Sequence, residues 1–301
     1  MKNPLQTFEP NLLGRDFVIG DLHGNIRLFN KFLAHINFDE AVDRIFSVGD
    51  LVDRGEDSLG CLKLITKDWF KAVLANHEQM MIDRFRGGYS GAYWFRNGGE
   101  WGRAAVEHYE QQKRLGNDPY ETATQEQKDL FDLITLAEEL PYLITVKMKD
   151  GKRFHIVHAE LPPQNKVTDA DLEDPEKVRA LAKIEVGDGE CMIWGRYIFG
   201  PIIMTDLGNV EKINRTIKYR LGGNGGPFND KLSHIISGHT ILHRPVTVLG
   251  QTDIDTHATG ATETATSRWA ALTAVELGTW KFYQTSMTDF REVEPLVVDV
   301  S

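Results

Sequence analysis

The amino-acid sequence predicts an α/β fold, and three observations carry that expectation. Between residues 17 and 87, apolar runs suited to short buried strands alternate three times with helical patterns, the signature of a parallel βαβ core. After residue 142 the pattern turns antiparallel and supplies strands for a second sheet. Between these parts lies a helix-rich stretch, about 88–140, that reads as an insertion over the core.

Residues 1–14 read as a leader that packs late or frays. The first strand, Phe17-Val18-Ile19, runs into Gly20-Asp21-Leu22-His23-Gly24 and then a helix. In that helix Ile26, Phe29, Phe32, Leu33 and Ile36 share one face, and Asn25 is the N-cap. A second strand, 44–48, ends in Gly49-Asp50 and turns through Asp53-Arg54-Gly55 into a helix capped by Asp57 or Ser58, which sends Leu59, Leu62 and Ile65 inward. The third, 70–74, ends in Ala75-Asn76-His77-Glu78, and its helix stops at Gly87-Gly88.

In the insertion, helices are expected near 100–114 and 122–140, and Tyr89, Tyr93, Trp94 and Phe95 read as core of the inserted layer. Two β-rich runs, 142–148 and 153–157, flank Asp150-Gly151, a strong hairpin signal. The second stops at His158. Segment 161–190 reads as surface loop and helix without function of its own, and 200–230 as loop, with Gly222 to Gly226 a turn. A strand at 233–236 ends in Ser237-Gly238-His239, and β-like pieces follow at 246–250, 253–256, 269–277 and 280–285, with a loop at 258–267. The whole is expected to be one catalytic domain, 1–301, with a core of about 15–285.

Composition narrows the function. A chain of 301 residues can bury a core without staples, and two cysteines, Cys61 and Cys191, give neither a disulfide framework nor a zinc ribbon. No basic and apolar leader pattern opens the chain, and no apolar run approaches the ~18 residues that span a bilayer, so the expectation is a cytoplasmic protein without a membrane partner. A formal net charge of -10 argues against holding a nucleic-acid duplex. It leaves room for a phosphorylated substrate if bound cations reverse the field locally.

Five separated strands each end in residues that a metal would take. Asp21 with His23, Asp50, Asn76, His158 and His239 supply two carboxylates, three imidazoles and one amide oxygen. That set suits two divalent ions with one carboxylate bridging, the arrangement of two-metal hydrolytic sites. Nitrogen and oxygen ligands without thiolate favour manganese, iron or zinc.

These blocks also carry a family resemblance. Gly20-Asp21-Leu22-His23-Gly24, Gly49-Asp50-Leu51-Val52-Asp53-Arg54-Gly55 and Asn76-His77-Glu78 resemble the signature blocks of the phosphoprotein phosphatase family of serine/threonine phosphatases, within the metallophosphoesterases. Asn97-Gly98-Gly99 with Trp101, Ile193-Trp194-Gly195-Arg196 and Ile254-Asp255-Thr256 are similar to the bacteriophage lambda type of protein phosphatase. The resemblance covers about 15–277, with 105–125 and 200–230 as insertions. It implies a calcineurin-like sandwich of two mixed β-sheets flanked by helices. It further implies that Asp21 and His23 hold the first ion, that Asp50 bridges, and that Asn76, His158 and His239 hold the second, with manganese the first choice of metal. His77 matches the general acid, Asp53 the carboxylate that orients it, and Arg54 and Arg196 the phosphate clamps. Two positions depart from the family: Ala75 and His257 stand where it has glycine.

Other chemistries fail on the letters. His77-Glu78 lacks the second histidine of a zincin helix, four residues rather than five separate Cys191 from Arg196, and the glycines at 222–226 lack the Lys-Ser/Thr of a P-loop. His155, three residues before His158, faces the other side of its strand and reads as structural. His35, His108, His234 and His243 have no motif around them, and Cys61 reads as a small core hydrophobe. The expected activity is hydrolysis of phosphate monoesters by direct attack of a metal-bridging hydroxide, on phosphoserine and phosphothreonine in proteins. Two alternatives stand beside it: a nucleotide phosphohydrolase acting on a diadenosine polyphosphate or cyclic phosphodiester, and a metal-free interaction scaffold on the same fold.

Overall fold

Two neighbouring parallel strands alternate their side chains between two cores. In a computed structural model, which describes residues 3–161, 167–186, 189–203, 209–220, 232–261 and 269–299, Phe17 and Ile19 of β2 (Asp16–Ile19) pack with Ile45 of β3 (Arg44–Ser47) against helices. Val18 and Phe46 point the other way, into the space between two sheets. This period of two, with both faces apolar, is what a sheet covered on each side requires. β4 (Phe70–Ala72) continues the parallel set, and α1 (Ile26–His35), α2 (Ser58–Lys63) and α3 (Asn76–Arg86) follow the three strands in turn. Asn25 caps α1 through the Leu28 N–H and Asp57 caps α2 through that of Gly60, while Gly87 ends α3 in the left-handed conformation.

β1 (Leu5–Phe8) decides between the two expectations for residues 1–14 in favour of packing. It is a strand, paired in parallel with β5 (Leu143–Lys147), and the Pro4 carbonyl accepts the N–H groups of Tyr142 and Leu143. The insertion folds as α4 (Arg103–Leu115) and α5 (Gln125–Ala137), preceded by 3-10 turns over 89–102. Trp94 is buried in its core, but Tyr89 and Tyr93 are exposed, so the aromatic cluster divides. β6 (Arg153–Ile156) returns antiparallel to β5 through the expected hairpin.

Segment 161–190 is more than surface. α6 (Asp169–Leu172) and α7 (Pro175–Ala182) pack Leu172, Val178 and Leu181 onto the outer face of the sheet that holds β5 and β6, and the short pair β7 (Glu185–Val186) and β8 (Gly189–Glu190) leads into α8 (Cys191–Trp194). Within 200–230, α9 (Gly200–Ile203) and α10 (Val210–Arg220) replace the expected loop, and Ile213 and Ile217, four apart, face the core. Gly222 to Gly226 and most of the loop at 258–267 lie outside the described residues.

The last part completes both sheets. The larger has the order β1-β5-β6-β9-β11-β10-β15, with β9 (His234–Ser237), β10 (Val246–Val248), β11 (Gln251–Asp253) and β15 (Leu296–Val298). The smaller runs β14-β13-β12-β2-β3-β4, with β12 (Leu272–Glu276), β13 (Lys281–Thr285) and β14 (Phe290–Val293). Both mix parallel and antiparallel pairs. Strands 290–293 and 296–298 extend the sheets beyond the expected core, and β11 begins two residues before its expected place. Cys61 and Cys191 are free and buried, and no helix among the described residues is long and apolar enough to cross a membrane.

Candidate metal centre

All of the sequence-selected site residues meet at one end of the sandwich. β2, β3 and β4 of one sheet and β6 and β9 of the other direct their carboxyl ends there, where ligands collect in α/β folds. The loops after β2 and β3 are laced together: the N–H groups of Leu22 and His23 both donate to the Asp50 carbonyl, at 3.1 and 2.8 Å. Glu78, fully buried on α3, accepts the N–H groups of Asp50, Leu51 and Val52. His23, Asp50, Asp53, Arg54 and His239 all have positive φ. Left-handed backbone at non-glycine residues costs energy and clusters at functional sites.

Two glycines make the close approach feasible. Gly49 has φ +96°, and a Cβ there would lie 2.5 Å from the Ala75 Cβ. A Cβ on Gly238 would lie 2.1 Å from Asp21 Oδ1, so the bare backbone lets β9 reach that carboxylate. The departure at Ala75 is accommodated, since it begins α3 with extended backbone at φ -116°. His257 is different: with φ 64° it occupies the left-handed region that favours glycine.

The donor atoms face inward for a definite reason. A carbonyl oxygen can only accept, so each ring nitrogen against one must carry the proton. His23 Nδ1 donates to the Val52 carbonyl at 2.9 Å, His158 Nδ1 to that of Val48 at 2.8 Å, and His239 Nε2 to that of Trp194 at 3.2 Å. The other nitrogen of each ring therefore presents a lone pair to the centre, as in metal sites where backbone groups orient the ligating imidazoles. His158 Nε2 lies 2.7 Å from Asn76 Oδ1 and 3.1 Å from His239 Nδ1. Acceptors thus face acceptors, an arrangement that a cation between them reconciles.

Two sets of donor atoms could hold ions, each within 4.8 Å of one another: His23, Asp50 and His77, and Asp50, His158 and His239. Asp50 is common to both. Its carboxylate lies 3.4 Å from His23 Nε2 and 3.6 Å from His158 Nε2. Asp21 belongs to neither set but is buried beside them, accepting the His239 N–H at 3.2 Å. Burial lowers the His23 imidazole to about 3 and pushes those of His158 and His239 down as well, which favours the neutral rings. Burial alone would raise Asp50, but the charge that His158, His77, His23 or His239 carries when protonated outweighs it and holds the carboxyl low, so the shared proton sits on a ring rather than on Asp50. Burial, with Asp255 and Asp50 nearby, drives Asp21 the other way, and Asp255 rises to about 6, also chiefly through burial. Neutral imidazoles around an ionised carboxylate are the protonation states that metal binding needs.

His77 is fixed from two sides. Its Nδ1 donates to Asp53 Oδ2 at 2.6 Å, and its Nε2 accepts from Arg54 at 2.9 Å, because a guanidinium can only donate. Arg54 also reaches His23 Nε2 at 2.7 Å, and its backbone N–H is bound by the Gly98 carbonyl. Arg196 stands at the exposed rim on the other side, donating to the His239 carbonyl at 3.2 Å.

Several participants were given no role in the site by the sequence reading. The indole N–H groups of Trp94 and Trp101 clamp Asp53 Oδ1 at 3.0 and 2.7 Å. Glu160 accepts three N–H groups of Tyr197, Ile198 and Phe199, and so ties the Arg196 loop to β6 as Glu78 ties the Asp50 loop to α3. A regularity could have flagged both glutamates, since each stands two residues after an expected ligand, Asn76 or His158.

His155 is structural as expected, buried between Thr145 Oγ1 and the Asp169 carboxylate.

Fold and site together define a metal-dependent phosphoesterase. The chain belongs to the calcineurin-like phosphoesterase family, whose model matches residues 17–242. It is 36% identical to serine/threonine-protein phosphatase 1 of Salmonella typhimurium over 147 residues, 48% of this chain and 59% of that relative, so it spans about three-fifths of that protein's length. It is 28% identical to serine/threonine-protein phosphatase 2 of Escherichia coli over 195 residues, 62% of this chain and 81% of the relative. A symmetrical bis(5'-nucleosyl)-tetraphosphatase of Chromohalobacter salexigens is also 28% identical, over 66% of this chain and 62% of its own. Among solved structures, a serine/threonine phosphatase from Saccharomyces cerevisiae shares the fold, with a TM-score of 0.51 at 14% identity over 98% of this chain and 84% of that one.

Proposed function

We propose that this chain is a protein serine/threonine phosphatase that works with two divalent ions, manganese first among them, in a reducing cytoplasmic setting. The observation that carries the reading is the ring of inward lone pairs: His158 Nε2, Asn76 Oδ1 and His239 Nδ1 face one another, and Asp50 joins them to His23. In this reading Asp21, His23 and Asp50 hold one ion, and Asp50, Asn76, His158 and His239 the other. Bound there, the ions supply Lewis-acid charge and a hydrolytic nucleophile at neutral pH.

The chain's own groups supply the rest. Arg54 and Arg196, entering from opposite sides, offer planar forks to the phosphoryl oxygens, whose negative charge is spread over three atoms. Asp53, pinned by two indoles, holds the His77 ring so that Nε2 points into the centre. When His77 is protonated, Nε2–H passes its proton to the departing oxygen of serine or threonine while Nδ1–H stays on Asp53. Such a transfer is worth roughly 10²–10⁴ in rate.

The tetraphosphatase relative favours a second reading, cleavage of dinucleoside polyphosphates. The deciding experiment measures bound metal and then turnover of phosphoserine peptides beside diadenosine tetraphosphate. Peptide turnover with metal bound is expected. Exclusive nucleotide cleavage would reverse the assignment, and a folded protein that binds no metal and turns over neither substrate would favour the metal-free scaffold.

A further inference from the structure

A groove of about 770 Å³ opens beside the metal centre. It shares a wall with the centre, because Trp194 lines it and the Trp194 carbonyl is the group that orients His239. Asn97, next to the Gly98 that binds the Arg54 backbone, lines it from the other side. A segment leading to or from the reacting phosphate can therefore lie in it.

Its chemistry is aromatic and acidic. Tyr89 and Tyr93 stand at the rim with their rings 5.7 Å apart and their hydroxyls joined at 3.0 Å, Tyr89 being 83% exposed. Asp83 faces in, oriented by Ser90 and Gln79. On the far side Glu185 and Glu190 lie directly opposite each other across the β7–β8 ladder. Like charges in that position destabilise a strand pair. Neither forms an ion pair with a cation among the described residues. Burial first, then Glu185 and Asp83, push the Glu190 carboxyl up, with Lys183 pulling against them.

We propose that this groove receives an arginine or lysine side chain of the phosphoprotein substrate, a few residues from the phosphorylated serine or threonine. The inference rests on the protein-phosphatase reading and deepens it. A cation there relieves the Glu185–Glu190 opposition and lies against tyrosine faces, where guanidinium and ammonium groups are attracted. A polyphosphate in the same place would meet three carboxylates.

The test compares phosphoserine peptides that differ only in carrying arginine, alanine or glutamate at positions two and three on either side of the phosphoserine. The wild-type protein is expected to turn over the arginine peptide with kcat/KM roughly five- to tenfold above alanine, with glutamate lower still and the spread shrinking as salt is raised. In E185Q/E190Q the preference is expected to vanish, and in E185K to invert, while p-nitrophenyl phosphate turnover stays within about twofold. A wild-type protein indifferent to the flanking residue, or a preference that survives in both variants, overturns the docking inference alone. Failure of every phosphopeptide while p-nitrophenyl phosphate is still cleaved overturns the protein-phosphatase reading beneath it. Loss of diadenosine tetraphosphate turnover in E185Q/E190Q, with peptides unaffected, assigns the groove to a nucleotide instead.

Discussion

His77 joins the two halves of the chemistry: one ring nitrogen is held by Asp53, the other faces Arg54 and the centre. Replacing it separates proton delivery from metal binding. H77N is expected to keep its metal and to lose roughly 10²–10⁴ in kcat, with a larger loss on phenyl phosphate than on p-nitrophenyl phosphate, whose leaving group needs no proton. Equal losses on the two esters would remove His77 from the acid role. The residues around this point were legible because each comes at the end of a strand, where a short motif keeps its members together in the sequence. Trp94 and Trp101 were not. They reach Asp53 from a layer 41 and 48 residues away, and an indole serving a buried carboxylate looks, in the sequence, like any aromatic in a core.

At the scale of the element, the site depends on how closely β9 passes the loop after β2. Gly238 follows β9 and lies against Asp21 and Val48. G238A is expected to cost about 1–3 kcal/mol of stability through overpacking and to lower metal content, read by urea unfolding and metal analysis. Full metal content with wild-type turnover would show that the approach is not needed. The strong βαβ elements were readable because apolar periodicity and helix caps agree there. The weak ones lacked that agreement. β1, β14 and β15 are three or four residues long and lie at sheet edges, so their pairing is decided by distant partners. β11 was displaced because its Gln251 and Asp253 are polar yet fully buried, which breaks the apolar pattern that marks a strand. The Ile213 and Ile217 spacing of α10 was present in the letters but lay in a polar stretch read as loop.

For the whole molecule, the centre is the place where the two sheets are joined by polar groups, since Asp50 follows a strand of one sheet and His158 and His239 follow strands of the other. Ions bound there tie the sheets together. Manganese at a hundredfold over its dissociation constant is expected to stabilise the chelated protein by about 2.7 kcal/mol, raising its thermal midpoint by a few degrees. In D50N, which lacks the shared carboxylate, the rise should disappear. An equal rise in D50N would deny Asp50 its bridging place. Sequence reasoning anticipated a sandwich but not its strand order, because order is set by contacts between remote segments. The clearest of these is β12, which pairs Ala274 with Ile19 and so flanks the strand that delivers Asp21 and His23. Closing a loop that long is entropically slow. A fragment ending at residue 242 would hold every ligand and both arginines, yet leave β2 an open edge with half its ladder unmade. Catalytic competence should therefore arrive late in folding and all at once, and truncation after residue 242 should silence the protein while leaving each of its ligands in the chain.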